Sequence, residues 1–157
     1  MKIRKSIQQD ASVISPLITA LAEKYILPTC TGEGGKLLLA SMTIESIEQY
    51  FTDGYQYHVA EDAGGIMGVV GIKNNAHLYH LFVAEAHQGQ GISTQLWEHA
   101  KEACLQKGNK GVFTVNSALN AKNVYLKLGF SPTGCIREKS GIKDIPMQMN
   151  IYLNDDK

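Results

Sequence analysis

The chain has 157 residues, 44% hydrophobic and 19% charged, with 15 basic and 15 acidic side chains and a formal net charge of zero. That length suits one domain over residues 1–157 and buries about two-thirds of the unfolded surface. The composition excludes a disordered chain, and zero net charge removes any general field for nucleic acid or an anionic membrane.

MKIRKSIQQD carries charges but no apolar h-region, and no apolar run approaches the ~20 residues of a membrane span. A cytoplasmic location is therefore expected, with no leader and no membrane partner. Cys30, Cys104 and Cys135 are odd in number, widely spaced and without C-x-x-C, which favours reduced thiols over a disulfide framework or a metal site.

Lys2 to Ile7 reads as a first strand, with Ile3 and Ile7 on one face. Asp10 can cap a turn, after which Val13, Ile14, Leu17, Ile18 and Leu21 recur at helical spacing. Pro16 interrupts that pattern, so either the helix kinks or Ser15 caps a restart with Pro16 in its first turn. Pro28 ends the segment, and a glycine-rich loop runs to Lys36. Leu37 to Leu39 follow. Thr43 is then a plausible N-cap for a helix to Phe51, with Ile44, Ile47 and Phe51 on one face and Glu45 complementing the dipole. This early helical region, about residues 28–43, is where selection of a second substrate would fall.

Tyr55 to Glu61 and Ile66 to Lys73 are strand-like and joined by Asp62-Ala63-Gly64-Gly65, a hairpin signal. Asn74-Asn75 turns into a third strand, His77 to Val83, giving an antiparallel meander. Gly68 and Gly71 weaken the middle strand and admit close approach of a partner. Past the glycines at Gly89 and Gly91, Ile92, Leu96, Ala100, Ala103 and Cys104 mark a helix that stops at Gly108. Val112 to Asn116 is a further strand, so strand, helix and strand favour a right-handed parallel crossover. Asn120 to Leu128 is a short helix ended by Gly129, and Phe130 to Leu153 offers two strands around Ser140-Gly141.

The stretch His77 to Lys107 organises the rest. Strand, glycine loop and helix aim unpaired backbone amides at an anion, because the first four N–H groups of a helix have no partner inside it and its N-terminus carries about half a positive charge. A phosphate or diphosphate is the expected occupant. The loop fits neither G-x-x-x-x-G-K-[ST] nor G-x-G-x-x-G. It does fit Q/R-x-x-G-x-G/A, read as Gln88-Gly89-Gln90-Gly91-Ile92-Ser93, with Ser93 in place of the last Gly or Ala. Downstream, Ala121, Tyr125, Gly129 and Phe130 stand in the register A-x-x-x-Y-x-x-x-G-F, and the segment Ser140 to Met147 follows.

Together these motifs resemble the GNAT superfamily of N-acetyltransferases. The resemblance implies an α+β fold with a mixed sheet, antiparallel strands first and then a parallel pair around the cofactor loop, flanked by about four helices. It implies acetyl-CoA as co-substrate and no metal. Pantetheine would pair with backbone groups of Leu81, Phe82 and Val83. The diphosphate would sit on Gln88, Gly89, Gln90, Gly91, Ile92, Ser93 and Thr94, with Asn116 and Asn123 available to the pantetheine amides. Ser93 replaces the usual small residue, and Glu85 stands where proline is common.

Transfer to an amine requires a neutral amine and a proton for the departing thiolate. Tyr125 matches the family's general acid. His77, His80 and Glu85 are candidates for the base, ordered water is another, and alternation places the two histidines on opposite faces. The implied activity is acetyl transfer to a primary amine, of a small molecule, directly within a ternary complex; a homodimer is compatible with it. Alternatives are an acyl-CoA-binding sensor without turnover, a protein acetyltransferase and a nucleotide-binding protein.

Overall fold

The computed structural model describes residues 1–152. Strand β1 (Lys2–Lys5) pairs antiparallel with β2 (Gln56–Asp62), which pairs with β3 (Gly65–Lys73) and then β4 (His77–Val83), so the expected meander forms. Strand β5 (Val112–Ser117) lies parallel to β4, and β8 (Ile142–Asn150) runs antiparallel beside β5. Short strands β6 (Ser131–Pro132) and β7 (Arg137–Lys139) both pair with β8. The mixed sheet thus has the order β1-β2-β3-β4-β5-β8-β6. The last strand ends at Asn150, short of the expected Leu153, which lies outside the described residues.

Helices cover both faces. On one face α1 (Ala11–Tyr25) and α3 (Ile44–Thr52) pack Ile14, Ile18 and Ile47 against Tyr57, Val59 and Val69. On the other, α4 (Ile92–Gln106) and α5 (Lys122–Leu128) enclose Leu96, Trp97, Phe113, Tyr125, Phe130 and Met147. Each fully buried apolar side chain of this size contributes roughly 1.5–3 kcal/mol. The remaining helix, α2 (Gly34–Ala40), belongs to the glycine-rich stretch and begins two residues before Lys36.

Three local expectations change. Strand β1 stops at Lys5, because Asp10 folds back to accept the Ile7 amide at 2.8 Å, leaving Ile7 exposed rather than beside Ile3. Arg4 then holds Asp10 and Glu61 at 2.8 Å each. Helix α1 runs through Pro16 without a restart, since one missing amide in its second turn leaves the rest of the ladder intact. Ser15 caps nothing; its hydroxyl donates to the Met42 carbonyl at 2.7 Å and ties α1 to the start of α3. Thr43 does cap α3, accepting the Ser46 amide at 3.1 Å.

Two features set the site. In β3–β4 pairing, Gly71 opposes His80 while Ile72 opposes Leu78, so Tyr79 is an extra, bulged residue. Parallel pairing of β4 with β5 covers only His77–Thr114 and Leu78–Val115, after which the two strands diverge.

Candidate active site

The bulge changes which side chains share a face. Leu78, Leu81 and Val83 all join the core under α4 and α5, although simple alternation would separate Leu78 from the other two. His80 points the other way and meets the Tyr57 hydroxyl at 2.7 Å through Nδ1. His77 meets the Thr114 hydroxyl at 2.7 Å, on the strand face opposite buried Phe113 and Val115. The two histidines therefore share one face, correcting the expectation that they oppose each other. One inserted residue reverses the parity between them.

The divergence of β4 and β5 opens a cavity of about 810 Å³. The glycine loop forms part of its wall. Gly89 and Gly91 both adopt φ near +78°, a left-handed conformation that suits glycine. No amide from Gly89 through Thr94 donates to a backbone carbonyl, and the first bond of α4 runs from Gln95 to Gly91. Among the described residues, six consecutive amides at a helix N-terminus are thus left without a backbone acceptor. The Gln88 side chain donates to the Val83 carbonyl at 2.9 Å, bracing the loop against the strand end.

Leu81, Phe82, Val83, Gln88, Gly89, Gly91, Ile92 and Ser93 line the cavity, as do His77, His80, Asn116 and Tyr125. Gln90, Thr94 and Asn123 are not in its wall. Glu85 is also outside it, in an ion pair with Lys24 at 2.8 Å. The Asn116 carbonyl oxygen accepts from Arg137 at 2.7 Å, and Arg137 also pairs with Asp144 at 2.6 Å.

The cavity also has walls that local sequence patterns did not single out. Tyr25 of α1 is one, and Leu37, Leu38 and Met42 are others, these three within the 28–43 region expected to select a second substrate. Lys73, Tyr79, Lys143 and Asp144 also belong to its wall. The 28–43 region is fastened. The Thr31 amide donates to the Gly141 carbonyl at 2.9 Å, the Thr31 hydroxyl reaches Glu138, and Gly34 crosses Gly141 so closely that a Cβ at either would strike the other segment's backbone. A signal for Gly141 was present in Ser140-Gly141, but only as a turn.

Burial governs the ionisation of these groups. It holds the His80 imidazole down at about 3 and raises the Tyr125 phenol well above its ordinary value. His77 is lowered by burial and then by the nearby charges of Lys73 and Arg137. Outside the cavity, burial lowers His58 to about 4, with His99, Lys107 and Lys5 adding to the effect.

Unfolded histidines titrate near 6.5, so below that pH the unfolded chain binds protons that folded His58 and His80 refuse. Stability should fall as pH drops from about 6.5 to 4, with each ring costing about 2 kcal/mol at pH 5. Asp10, held below its ordinary value by Arg4, adds the same trend at lower pH. Denaturant midpoints at pH 7 and pH 5 check this, and His58→Gln should remove about half of the difference. Equal midpoints for the unsubstituted protein would mean that neither ring is withheld from protons.

Residues 26–151 match the family model of the acetyltransferase (GNAT) domain, and the chain belongs to that family. Among solved structures, a GCN5-related N-acetyltransferase from Rhodopseudomonas palustris has the same fold, with a TM-score of 0.80 at 18% identity over 96% of this chain and 95% of that one. PaiA N-acetyltransferase from Thermoplasma acidophilum, solved with coenzyme A, gives 0.75 at 15% identity, covering 95% and 98%. YncA from Salmonella typhimurium, a putative acetyltransferase solved with acetyl-CoA, gives 0.68 at 20% identity, covering 96% and 94%. At these identities the likeness carries the fold alone. No curated protein matches the sequence. Among the described residues no helix is long and apolar enough to cross a membrane, and no group of three or more His, Cys, Asp or Glu side chains is arranged to hold a metal ion.

Proposed function

We propose that this protein is an acetyl-CoA-dependent N-acetyltransferase that acetylates a primary amine of a small molecule directly within a ternary complex. The observation that carries this reading is the row of amides from Gly89 through Thr94 without backbone acceptors, of which Gly89, Gly91, Ile92 and Ser93 belong to residues lining the same cavity as Tyr125. Those donors suit a diphosphate, and the edge of β4 left unpaired past Leu78 suits an extended amide chain that pairs like an added strand. Acetyl-CoA supplies an acyl group activated as a thioester. Asn116, whose side-chain NH₂ is not taken by Arg137, is available to that amide chain.

In this reading Tyr125 keeps its proton because burial disfavours the phenolate, and it holds that proton for the departing sulfur. His77 is the better candidate to take a proton from the acceptor, directly or through a water it orients. An effective base has a pKa near the working pH, and His80 at about 3 is far below it. His80, bonded to Tyr57, then serves as a fixed neutral dipole beside the reacting space. The reading extends to one domain over residues 1–157, working in the cytoplasm with Cys30, Cys104 and Cys135 as free thiols.

Calorimetry with acetyl-CoA, followed by a thiol-release assay over a library of amines, tests the proposal. Tight binding with release of coenzyme A in step with an acetylated amine is expected. Binding without product from any amine would make the protein a sensor, and competition by ATP or NAD would make it a nucleotide-binding protein.

A further inference from the structure

Resting on the acetyltransferase reading, we propose that His80 donates a hydrogen bond through its Nε2–H to the thioester carbonyl of acetyl-CoA, in a tautomer set by Tyr57 reaching over Gly71. The three residues form one row across the sheet. Tyr57 pairs with Gly71 in the β2–β3 register, and Gly71 pairs with His80 in the β3–β4 register. Directly opposed residues share a face, so both side chains rise on one side with only a glycine between them. A Cβ at Gly71 would lie 2.4 Å from Cζ of Tyr57, the carbon that bears the hydroxyl. The ring therefore lies over the middle strand, and its hydroxyl meets His80 Nδ1 at 2.7 Å.

Burial decides the direction of that bond. Tyr57 is 2% exposed, and among the described residues its hydroxyl has no partner besides His80. A proton on Nδ1 would make the phenol an acceptor and leave its own O–H unspent in the core, a costly arrangement. The phenol therefore donates, Nδ1 accepts, and the proton of the neutral ring sits on Nε2. The ring stays neutral because burial holds its pKa down at about 3. The two nitrogens of an imidazole point in nearly opposite directions. With Nδ1 turned toward β3, Nε2 faces the other edge of β4, which is unpaired past Leu78. Nε2 has no partner among the described residues and is not sealed in the core, so it opens on the cavity that His80 lines. The rings of Tyr50, Tyr79 and Phe82 surround the imidazole at centroid distances of 6.1, 4.4 and 5.7 Å and restrict its rotation.

Position along the strand selects the ligand atom. A chain held at the glycine loop and paired with Leu81 to Val83 would reach His80 next, bringing its thioester beside that ring. Tyr125 belongs to the core on the opposite face and lines the same cavity. The phenol then serves the sulfur and the imidazole the oxygen. Attack by the amine gathers negative charge on that oxygen, and a donor already in place stabilises it without losing its proton. His80 is thus a catalytic residue, and Tyr57 a positioning residue that acts through it.

Long-range proton–nitrogen correlation spectra of isotope-labelled protein identify the tautomer, with His80→Gln marking the signals of this ring. The Nε2–H pattern is expected at neutral pH, and Tyr57→Phe should mix it with the Nδ1–H pattern. In calorimetry without amine, acetyl-CoA should bind about twofold to tenfold tighter than S-ethyl-coenzyme A, which lacks the carbonyl oxygen, as one neutral hydrogen bond provides. His80→Phe should erase that preference and lower kcat by about a hundredfold to a thousandfold. In His80→Gln the side-chain oxygen can accept from Tyr57 while the NH₂ still donates, so about tenfold or more of the loss should return. A base would show no such recovery. An Nδ1–H pattern in the unsubstituted protein would overturn the proposal, and that measurement needs no variant to fold. Equal affinity for the two ligands would also overturn it, as would a His80→Phe protein that keeps the preference. A preference lost in His80→Phe, with no product from any amine, would count against the acetyltransferase reading and leave the hydrogen bond standing.

Discussion

Tyr125→Phe should lower kcat by about a hundredfold to ten-thousandfold while leaving acetyl-CoA affinity nearly unchanged, the span associated with losing a positioned general acid. The substitution is selective because of where the ring sits. Tyr125 is buried on α5, edge-on to Phe130 with centroids 5.9 Å apart, and phenylalanine keeps that packing. Burial alone raises its pKa, with no hydrogen bond to another residue contributing, so the hydroxyl has no structural partner to lose. Steady-state rates at saturating acetyl-CoA, with a calorimetric affinity for each protein, separate the two effects. Undiminished turnover by the variant would take Tyr125 out of the mechanism.

Gly91→Glu should weaken acetyl-CoA binding by about a hundredfold or more, the equivalent of two or more hydrogen bonds to a charged group. Gly91 has φ +78° and nothing within 4 Å of where a Cβ would project, so the new side chain meets open space, not protein. The left-handed backbone costs roughly 1–2 kcal/mol, which the fold should tolerate. The carboxylate then stands among the amides that the diphosphate needs, and its charge repels the ligand. Gly91→Ala isolates the backbone cost without the charge and should bind far better than the glutamate variant. Calorimetry on both decides it, and equal affinity for the glutamate variant and the unsubstituted protein would move the diphosphate elsewhere.

The local structure around these two positions was legible in the sequence for physical reasons. Amides at a helix start are unpaired by geometry, and glycines before them are a local signal, so Gly89 to Thr94 could be read without knowing any partner strand. Tyr125 was legible through its spacing from Ala121, Gly129 and Phe130, and Gly129 does end α5 in the left-handed conformation. The antiparallel meander followed from two short turns.

What was not legible depended on pairing between distant segments. The bulge at Tyr79 exists only in the register of β4 against β3, and without it the two histidines fall on opposite faces. Glu85 stood at the strand end by position, but its ion pair with Lys24 of α1 is a tertiary contact. Ile7 alternated correctly with Ile3 and was still drawn out of the strand by the Asp10 carboxylate. Lys73 and Lys143 are ordinary lysines until the fold brings the ends of β3 and β8 to one cavity.

The crossing of Gly34 and Gly141 has a bearing on how this chamber adapts. The segment around Gly34 rests on Gly141 through main-chain atoms in direct contact, with no side chain between them as an adjustable spacer. Neither segment can slide closer, and lifting one away sacrifices the Thr31 bond. The crossing is therefore fixed by backbone contact, and variation in the cavity wall contributed by this stretch falls to the side chains of Leu37, Leu38 and Met42.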